Sequence, residues 1–100
     1  MDKKIEFTEE QLQNITDFLN TLAHPLRLKI ILQLSENPLS VTELMKALEV
    51  RQPNLSQHLS LLKRLRILKT KRKGRSVYYQ LSHPEVKDLI ENIANTIEKF

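Results

Sequence analysis

Residues 40–64, SVTELMKALEVRQPNLSQHLSLLKR, decide the fold because they contain the signals of two helices separated by a short turn. Ser40 and Glu43 form a capping box, which predicts a short helix. Pro53 suits the first turn of a second helix, where its missing N–H costs nothing. The apolar positions of that second helix are Leu55, Leu59 and Leu62. Two such helices form a helix-turn-helix unit, whose second helix lies in the major groove of DNA.

Two further helices are predicted before this unit. Thr8 and Gln11 form another capping box, and an apolar stripe follows at helical spacing. His24-Pro25 interrupts that stripe, because the residue before proline avoids the helical region and proline suits a helix start. The second of these helices is apolar nearly all round, which predicts burial, and Asn37-Pro38 ends it.

A β-hairpin and a last helix are predicted after the unit. The segments Ile67–Arg72 and Ser76–Leu81 are rich in β-branched and aromatic residues, with Lys73-Gly74 between them. The single glycine of the chain stands where a hairpin turn needs a positive φ. Ser82-His83-Pro84-Glu85 is interpreted as a third capping box, opening a helix with an apolar stripe to Phe100. The expected fold is therefore mainly α with a small β-hairpin (α+β), a winged helix-turn-helix in the order α-α-α-α-β-β-α, as one domain over residues 1–100.

Composition excludes several classes of protein. The 100 residues include no cysteine and one glycine, which removes thiolate chemistry and disfavours a phosphate-binding loop. No compact set of histidines and carboxylates stands outside a helix start, so we expect no enzyme and no cofactor. No apolar run approaches the ~18 residues of a membrane span, and no signal peptide is present, so we expect a cytoplasmic protein without a membrane partner.

Charge is concentrated in one segment. Residues 51–75 contain nine basic and no acidic residues, whereas the rest of the chain contains seven basic and twelve acidic ones. A charge run can be a merely solvated face. Because this run spans the second helix of the unit and the hairpin, it favours a polyanionic partner, namely double-stranded DNA.

Three strings resemble the ArsR/SmtB family of repressors: residues 22–28 (LAHPLRL), residues 52–59 (QPNLSQHL) and residues 74–81 (GRSVYYQL). The resemblance covers roughly residues 10–98. It implies a homodimer built from the first and last helices, an inverted-repeat operator and release by an inducer. The chain departs from the family in two residues next to the second helix of the unit. Glu49 replaces a glycine that is common in the turn, which predicts either a left-handed residue or a differently shaped turn. Arg51 replaces the serine or threonine that usually caps this helix, and an arginine there can bind a phosphate instead.

The expected DNA contacts divide into two kinds. Asn54 and Gln57 carry amides that suit base edges, whereas basic and hydroxyl side chains suit phosphates, and the hairpin tip suits the adjacent minor groove. His58 is expected on the flank of the contact, with a partly buried bridging histidine as the alternative. The full expected set is Arg51, Gln52, Asn54, Ser56, Gln57, His58, Ser60, Lys63, Arg64, Arg72, Lys73 and Arg75.

Dimerisation is expected through residues 8–22 and 83–100, because the terminal apolar stripe is longer than one small domain requires. Packing of the first helix on the last within one chain is the alternative. The expected dimerisation residues are Leu12, Ile15, Leu19, Leu89, Ile90, Ile93, Ile97 and Phe100.

No metal site is expected. Compared with the family's ligand pattern on the last helix, this chain has His83, Glu85, Thr96 and Lys99, so two of four positions could bind a metal. A lysine there also repels a cation. Release of the DNA by an unknown small-molecule inducer therefore stays an alternative to release by a metal.

The function expected from the sequence is sequence-specific regulation of transcription, as a repressor. The alternatives are a metal-responsive repressor with a non-standard histidine and carboxylate site, a non-specific nucleic-acid-binding protein, and a protein-binding module that has lost DNA binding. The salt and sequence dependence of DNA binding distinguishes a specific binder from a non-specific one.

Overall fold

The computed structural model describes residues 6–100 and has the α+β winged helix-turn-helix fold predicted from the sequence. Its elements in chain order are α1 (Glu9–Leu22), α2 (Pro25–Leu34), β1 (Leu39–Ser40), α3 (Val41–Leu48), α4 (Gln52–Arg64), β2 (Leu68–Lys73), β3 (Ser76–Leu81) and α5 (Glu85–Ile97). Among these described residues, no helix has the length and apolar character needed to cross a bilayer.

Strand β1 was not predicted, and the order of elements is corrected to α-α-β-α-α-β-β-α. It pairs antiparallel with β3, placing Leu39 opposite Tyr79 and Ser40 opposite Tyr78, so the sheet has three strands in the order β1-β3-β2. A strand of two residues has no alternation to detect in the sequence. It exists because the hairpin offers an open edge to which the chain before α3 can bind.

Two of the three predicted capping boxes are present. The Gln11 amide donates to Thr8 Oγ1 at 3.0 Å, the Glu43 amide donates to Ser40 Oγ at 3.2 Å, and both reciprocal bonds form. The third prediction, at Ser82, is wrong. Pro84 caps α5 in a helical conformation (φ −56°, ψ −26°), and in the described chain no side-chain hydrogen bond caps this helix.

The start of α5 differs because Ser82, directly after β3, is bonded to the residue that precedes β2. Its amide donates to the carbonyl of Ile67 at 3.0 Å, and the helix begins with a tight turn in which the Val86 amide donates to the carbonyl of His83 at 3.1 Å. A capping residue needs an extended backbone immediately before the first helical residue. Ser82 lies too far from Glu85 to take that position.

The hairpin turn lies one residue later than the sequence suggested. Lys73 pairs with Ser76, so Gly74 and Arg75 are the two central residues of the turn. Gly74 has φ +60°, whereas Arg75 is not among the residues with positive φ. A positive φ at the first central residue alone is typical of the type II′ turn, which takes glycine there. Arg75 is thereby placed at the extreme tip of the hairpin.

The core forms where α2, α3 and α4 meet the inner face of the sheet. Leu55, Leu59 and Leu62 of α4 are at most 1% exposed, which fixes this helix against the domain. The expectation that α2 would be buried all round is too strong, because Leu32 is 39% exposed. Within residues 6–100, the buried apolar residues are Leu22, Ile30, Ile31, Leu34, Leu44, Leu55, Leu59, Leu62, Ile67, Leu68, Leu81 and Val86.

Candidate nucleic-acid interface

The turn between α3 and α4 contains a left-handed residue. Glu49 has φ 54° and ψ 47°, its amide donates to the carbonyl of Met45, and the Val50 amide donates to the same carbonyl at 3.2 Å. A residue with a β-carbon in this conformation costs about 1–2 kcal/mol. Of the two alternatives that the sequence left open, the structure adopts the left-handed one. The chain then leads directly into α4.

The end of α4 repeats this arrangement, which was not predicted. Arg66 has φ 64°, its amide donates to the carbonyl of Lys63 at 2.9 Å, and the Ile67 amide donates to the carbonyl of Leu62 at 2.9 Å. This bond pattern is a Schellman motif, with an arginine where glycine is usual. Backbone hydrogen bonds therefore fix the turn that precedes α4 and the residues that follow it, and these bonds orient the helix.

The face of α4 opposite its buried leucines is polar and exposed. Asn54, Gln57 and Ser60 are exposed on it, and Lys63 and Arg64 are exposed in the last turn. Ser56 is half-buried. This helix presents amide and hydroxyl groups along one side and cations at one end. It can therefore offer donors and acceptors to base edges and positive charge to phosphates.

The start of α4 leaves its cap residue free for another contact. Arg51 is extended (φ −82°, ψ 150°), and within residues 6–100 its side chain makes no capping hydrogen bond. Gln52 follows as an exposed residue of the first turn. An exposed guanidinium beside the positive end of a helix dipole favours an anionic partner.

His58 is the polar residue of α4 that contacts His24 and Arg27. It is half-buried, and its Nδ1 accepts a hydrogen bond from Arg27 Nε at 3.1 Å. Its ring centre lies 4.5 Å from that of His24, with the two planes tilted by 55°. Burial first, and then the charges of His24 and Arg27, hold the pKa of His58 below 6.5. These contacts support the bridging alternative rather than a DNA contact for His58.

His24 and Arg27 were not predicted as part of this site. The string that contains them marked a helix boundary, but their partner lies 31 residues away from Arg27 in the chain. Only the tertiary fold brings them to α4. The sequence signal that could have suggested it is the presence of two histidines and an arginine on partly apolar helix segments, where each needs a polar partner.

The hairpin carries the remaining cations. Arg72, Lys73 and Arg75 are exposed at its tip. Lys69, Lys71 and Lys73 alternate along β2, so all three lie on one face of the sheet. Lys71 and Lys73 line a cavity of about 350 Å³ together with Tyr78 and Gln80. The cationic hairpin tip predicted from the sequence is thus continuous with a row of lysines along β2.

An apolar face on α1 and α5 stays uncovered. Seven of the eight expected dimerisation residues are between 38% and 96% exposed, whereas Ile90 is half-buried against the core. Helix α1 packs against α2. Packing within one chain therefore leaves this face open. The exposed residues are Leu12, Ile15, Leu19, Leu89, Ile93, Ile97 and Phe100.

The residues compared with a metal site do not converge. His83 is exposed before α5, and Thr96 donates its hydroxyl to the carbonyl of Asn92 at 2.7 Å. In the part of the chain that the structure describes, no group of three histidine, cysteine, aspartate or glutamate side chains is placed to hold a metal ion.

A helix-turn-helix with a polar, amide-bearing second helix, followed by a cationic hairpin, defines a winged helix DNA-binding regulator of transcription. The chain belongs to the arsR family of bacterial regulatory proteins, whose sequence model matches residues 24–70. The resemblance inferred from the sequence is thereby confirmed. The family and the relatives described below are transcriptional regulators and not enzymes.

Similar proteins cover most of the chain. The transcriptional repressor PagR of Bacillus anthracis is 37% identical over 92 residues, which are 91% of this chain and 90% of PagR. The transcriptional activator HlyU of Vibrio cholerae is 44% identical over 73 residues, 73% of this chain and 68% of HlyU. A solved structure of HlyU from Vibrio cholerae has a TM-score of 0.78 at 37% identity, covering 89% of this chain and 97% of that one.

Proposed function

We propose that the protein is a dimeric, sequence-specific repressor of transcription that binds an inverted-repeat operator in the cytoplasm. One observation carries this proposal: Asn54 and Gln57 are exposed on the side of α4 opposite its fully buried leucines. Amides can pair with the donor and acceptor atoms of adenine in the major groove. A helix fixed on one side and amide-bearing on the other is suited to reading bases.

The cations around α4 position the protein on the DNA. Phosphate contacts fix register without carrying sequence information, and basic side chains supply them. We assign this role to Arg51, Lys63, Arg64 and the hairpin tip, where Arg75 is one of the two central residues of the turn. Gln52, Ser56 and Ser60 complete the interface, and His58 is reassigned to a role inside the protein.

The open apolar face of α1 and α5 supports a dimer. Contiguous apolar surface on a small protein marks an interaction site, and a two-fold dimer presents the same patch from both subunits. Such a dimer would place its two recognition helices about 34 Å apart, in successive major grooves. The relatives include a repressor and an activator, and PagR, matched over nine-tenths of its length, supports the repressor assignment. An unidentified small-molecule inducer is compatible with this arrangement.

Binding of Gln57→Ala to operator and to unrelated DNA tests the proposed base contact. We expect a loss of about 1–3 kcal/mol on the operator and almost none on unrelated DNA, because a base contact carries the discrimination. Asn95→Ala, which removes an exposed amide from α5, is the matched control and should bind as the wild type does. Equal losses on both DNAs would identify a non-specific nucleic-acid-binding protein instead.

Arg75→Ala tests the contact of the hairpin tip. It should weaken binding to every sequence similarly and reduce the salt slope by about 1, because each phosphate contact releases about one counterion. A salt slope equal to that of the wild type would place the tip away from the DNA.

A further inference from the structure

Arg27 connects three segments of the protein through two hydrogen bonds. Its Nη1 donates to the carbonyl of Thr21 in the last turn of α1 at 3.2 Å. Its Nε donates to His58 Nδ1 on α4 at 3.1 Å, and both bonds are partly buried. The ring of His24 packs at 4.5 Å from that of His58. We call His24, Arg27 and His58 the clasp.

The clasp requires a neutral His58. Nδ1 accepts a hydrogen bond from Arg27 Nε, so this nitrogen carries no hydrogen and the ring hydrogen of the neutral imidazole is on Nε2. An arginine remains charged at every pH that a folded protein survives, so it cannot adapt by losing a proton. A proton on Nδ1 would therefore remove the acceptor and place a second cation about 3 Å from the guanidinium.

The groups around His58 oppose its protonation. Those that act on its charge are His24, from the connection between α1 and α2, and Arg27, from α2. Helix α3 and strand β2 pack against α4, and among the described residues neither contributes a charge that acts on His58. Burial and these two neighbours lower the pKa of His58 from 6.5, so His58 is neutral at neutral pH, as the hydrogen bond from Arg27 requires.

His24 contributes an unpartnered buried nitrogen to the clasp. In residues 6–100 its Nδ1 is buried without a hydrogen-bond partner. A buried nitrogen of this kind costs free energy, and it gains a partner only if the neighbouring groups move. The unpartnered nitrogen is thus a cost of the closed clasp, and movement of the neighbouring groups would relieve it.

We propose that Arg27 is a positioning residue that locks the recognition helix α4 to the end of α1 through neutral His58, and that a proton on His58 releases this lock. The inference rests on the proposed function, because α4 is the helix assigned to the major groove and α1 belongs to the dimer face. When the clasp opens, the leucines of α4 stay buried, but the hydrogen bonds that connect α4 to α1 through Arg27 are lost. Because α1 belongs to the dimer face, this loss changes how the two recognition helices are held relative to each other. Operator affinity therefore falls in mild acid.

The sign of the pH effect separates this role from a DNA contact. A histidine that touched a phosphate would gain charge in acid and bind DNA more tightly. A histidine that holds the clasp would lose its acceptor and weaken binding. The two roles of His58 thus predict opposite slopes in the same measurement.

The experiment measures operator affinity from about pH 8 to about pH 5.5 at constant ionic strength, spanning the ordinary pKa of histidine. For the wild type we expect affinity to fall toward about tenfold per pH unit once His58 titrates, as uptake of one proton requires. In His58→Asn the amide oxygen replaces Nδ1 as acceptor and does not titrate. This variant should bind as the wild type does at pH 8 and should lack the acid loss. His83→Asn, at an exposed histidine, is the control and should keep the wild-type profile.

Arg27→Lys provides a second arm. A lysine keeps the charge but has one short ammonium group, which cannot donate to Thr21 and His58 together. Operator affinity at pH 8 should fall, and the pH profile should flatten, while circular dichroism shows an unchanged helix content. A merely structural role of Arg27 would lower the unfolding temperature without flattening the profile.

Nitrogen-15 chemical shifts of the His58 ring in the wild type test the clasp without any substitution. We expect the hydrogen on Nε2 at pH 8, and a hydrogen on Nδ1 would overturn the proposal. Operator affinity that rises in acid, or an acid loss that His58→Asn retains, would overturn it too. If Gln57→Ala binds the operator as the wild type does, the proposed base reading fails instead, so the two failures are distinguishable.

Discussion

Replacing Ile97 with aspartate should dissociate the proposed dimer without unfolding the subunit. Ile97 is 55% exposed in the isolated chain, so about half of the ~1.5–3 kcal/mol available from burying an isoleucine remains for an interface. A two-fold dimer buries the residue twice, which gives about 1.6–3.3 kcal/mol in total. A desolvated, unpaired carboxylate adds to that loss, so the dissociation constant should rise by at least about tenfold.

Sedimentation equilibrium over a range of concentrations measures this change, and circular dichroism monitors the fold. Because Ile97 is half-exposed, the carboxylate stays hydrated in the monomer, and the helix content should not change. Asn95→Asp adds the same charge on α5 two residues away, off the apolar stripe, and should leave the dimer intact. A wild type that is monomeric at micromolar concentration, or an Ile97→Asp protein that dimerises normally, would refute the reasoning.

Three further results are expected. Glu49→Gly should raise the free energy of unfolding by up to about 1 kcal/mol, because it removes a β-carbon from a left-handed residue. Lys46→Gly, inside α3, should lower the free energy of unfolding by about 1 kcal/mol. Urea unfolding that gives the opposite order of stability would contradict this. Folding disfavours the protonated form of His58, so below about pH 6.5 the unfolded chain binds more protons and stability falls; thermal unfolding of His58→Asn should show a weaker acid loss. Stoichiometric Zn²⁺, Ni²⁺, Co²⁺, Cd²⁺ or arsenite should not release operator DNA, and tight zinc binding that is abolished by His83→Ala and loosens DNA would restore the metal-sensing alternative.

Local signals predicted most of the fold. Capping residues at Thr8 and Ser40, a proline at the start of α2 and one glycine in the hairpin each act within a few residues of the chain. Their physics is local, so a sequence exposes it directly. The left-handed Glu49 was also open to prediction, because it stands in a turn that has no glycine to take that conformation.

Tertiary contacts account for what the sequence did not predict. Strand β1 exists only because β3 is nearby, and Ser82 donates its amide to the carbonyl of Ile67 instead of capping α5. The position of His58 on the flank of α4 left two roles open in the sequence, and the hydrogen bond from Arg27, 31 residues away, favours the bridging role. The exposed positions of Asn54 and Gln57 on α4 follow from residue type and helical spacing alone, whereas their contact with bases stays a prediction.

Selection of bound fragments from genomic DNA by the purified protein tests the central claim most directly. A dimer that reads bases through α4 predicts enrichment of a two-fold symmetric sequence, with half-sites centred about 10 base pairs apart or a multiple of that, and one dimer bound to each site. Selected fragments without a common sequence, whose binding salt weakens to the same extent for every fragment, would contradict it.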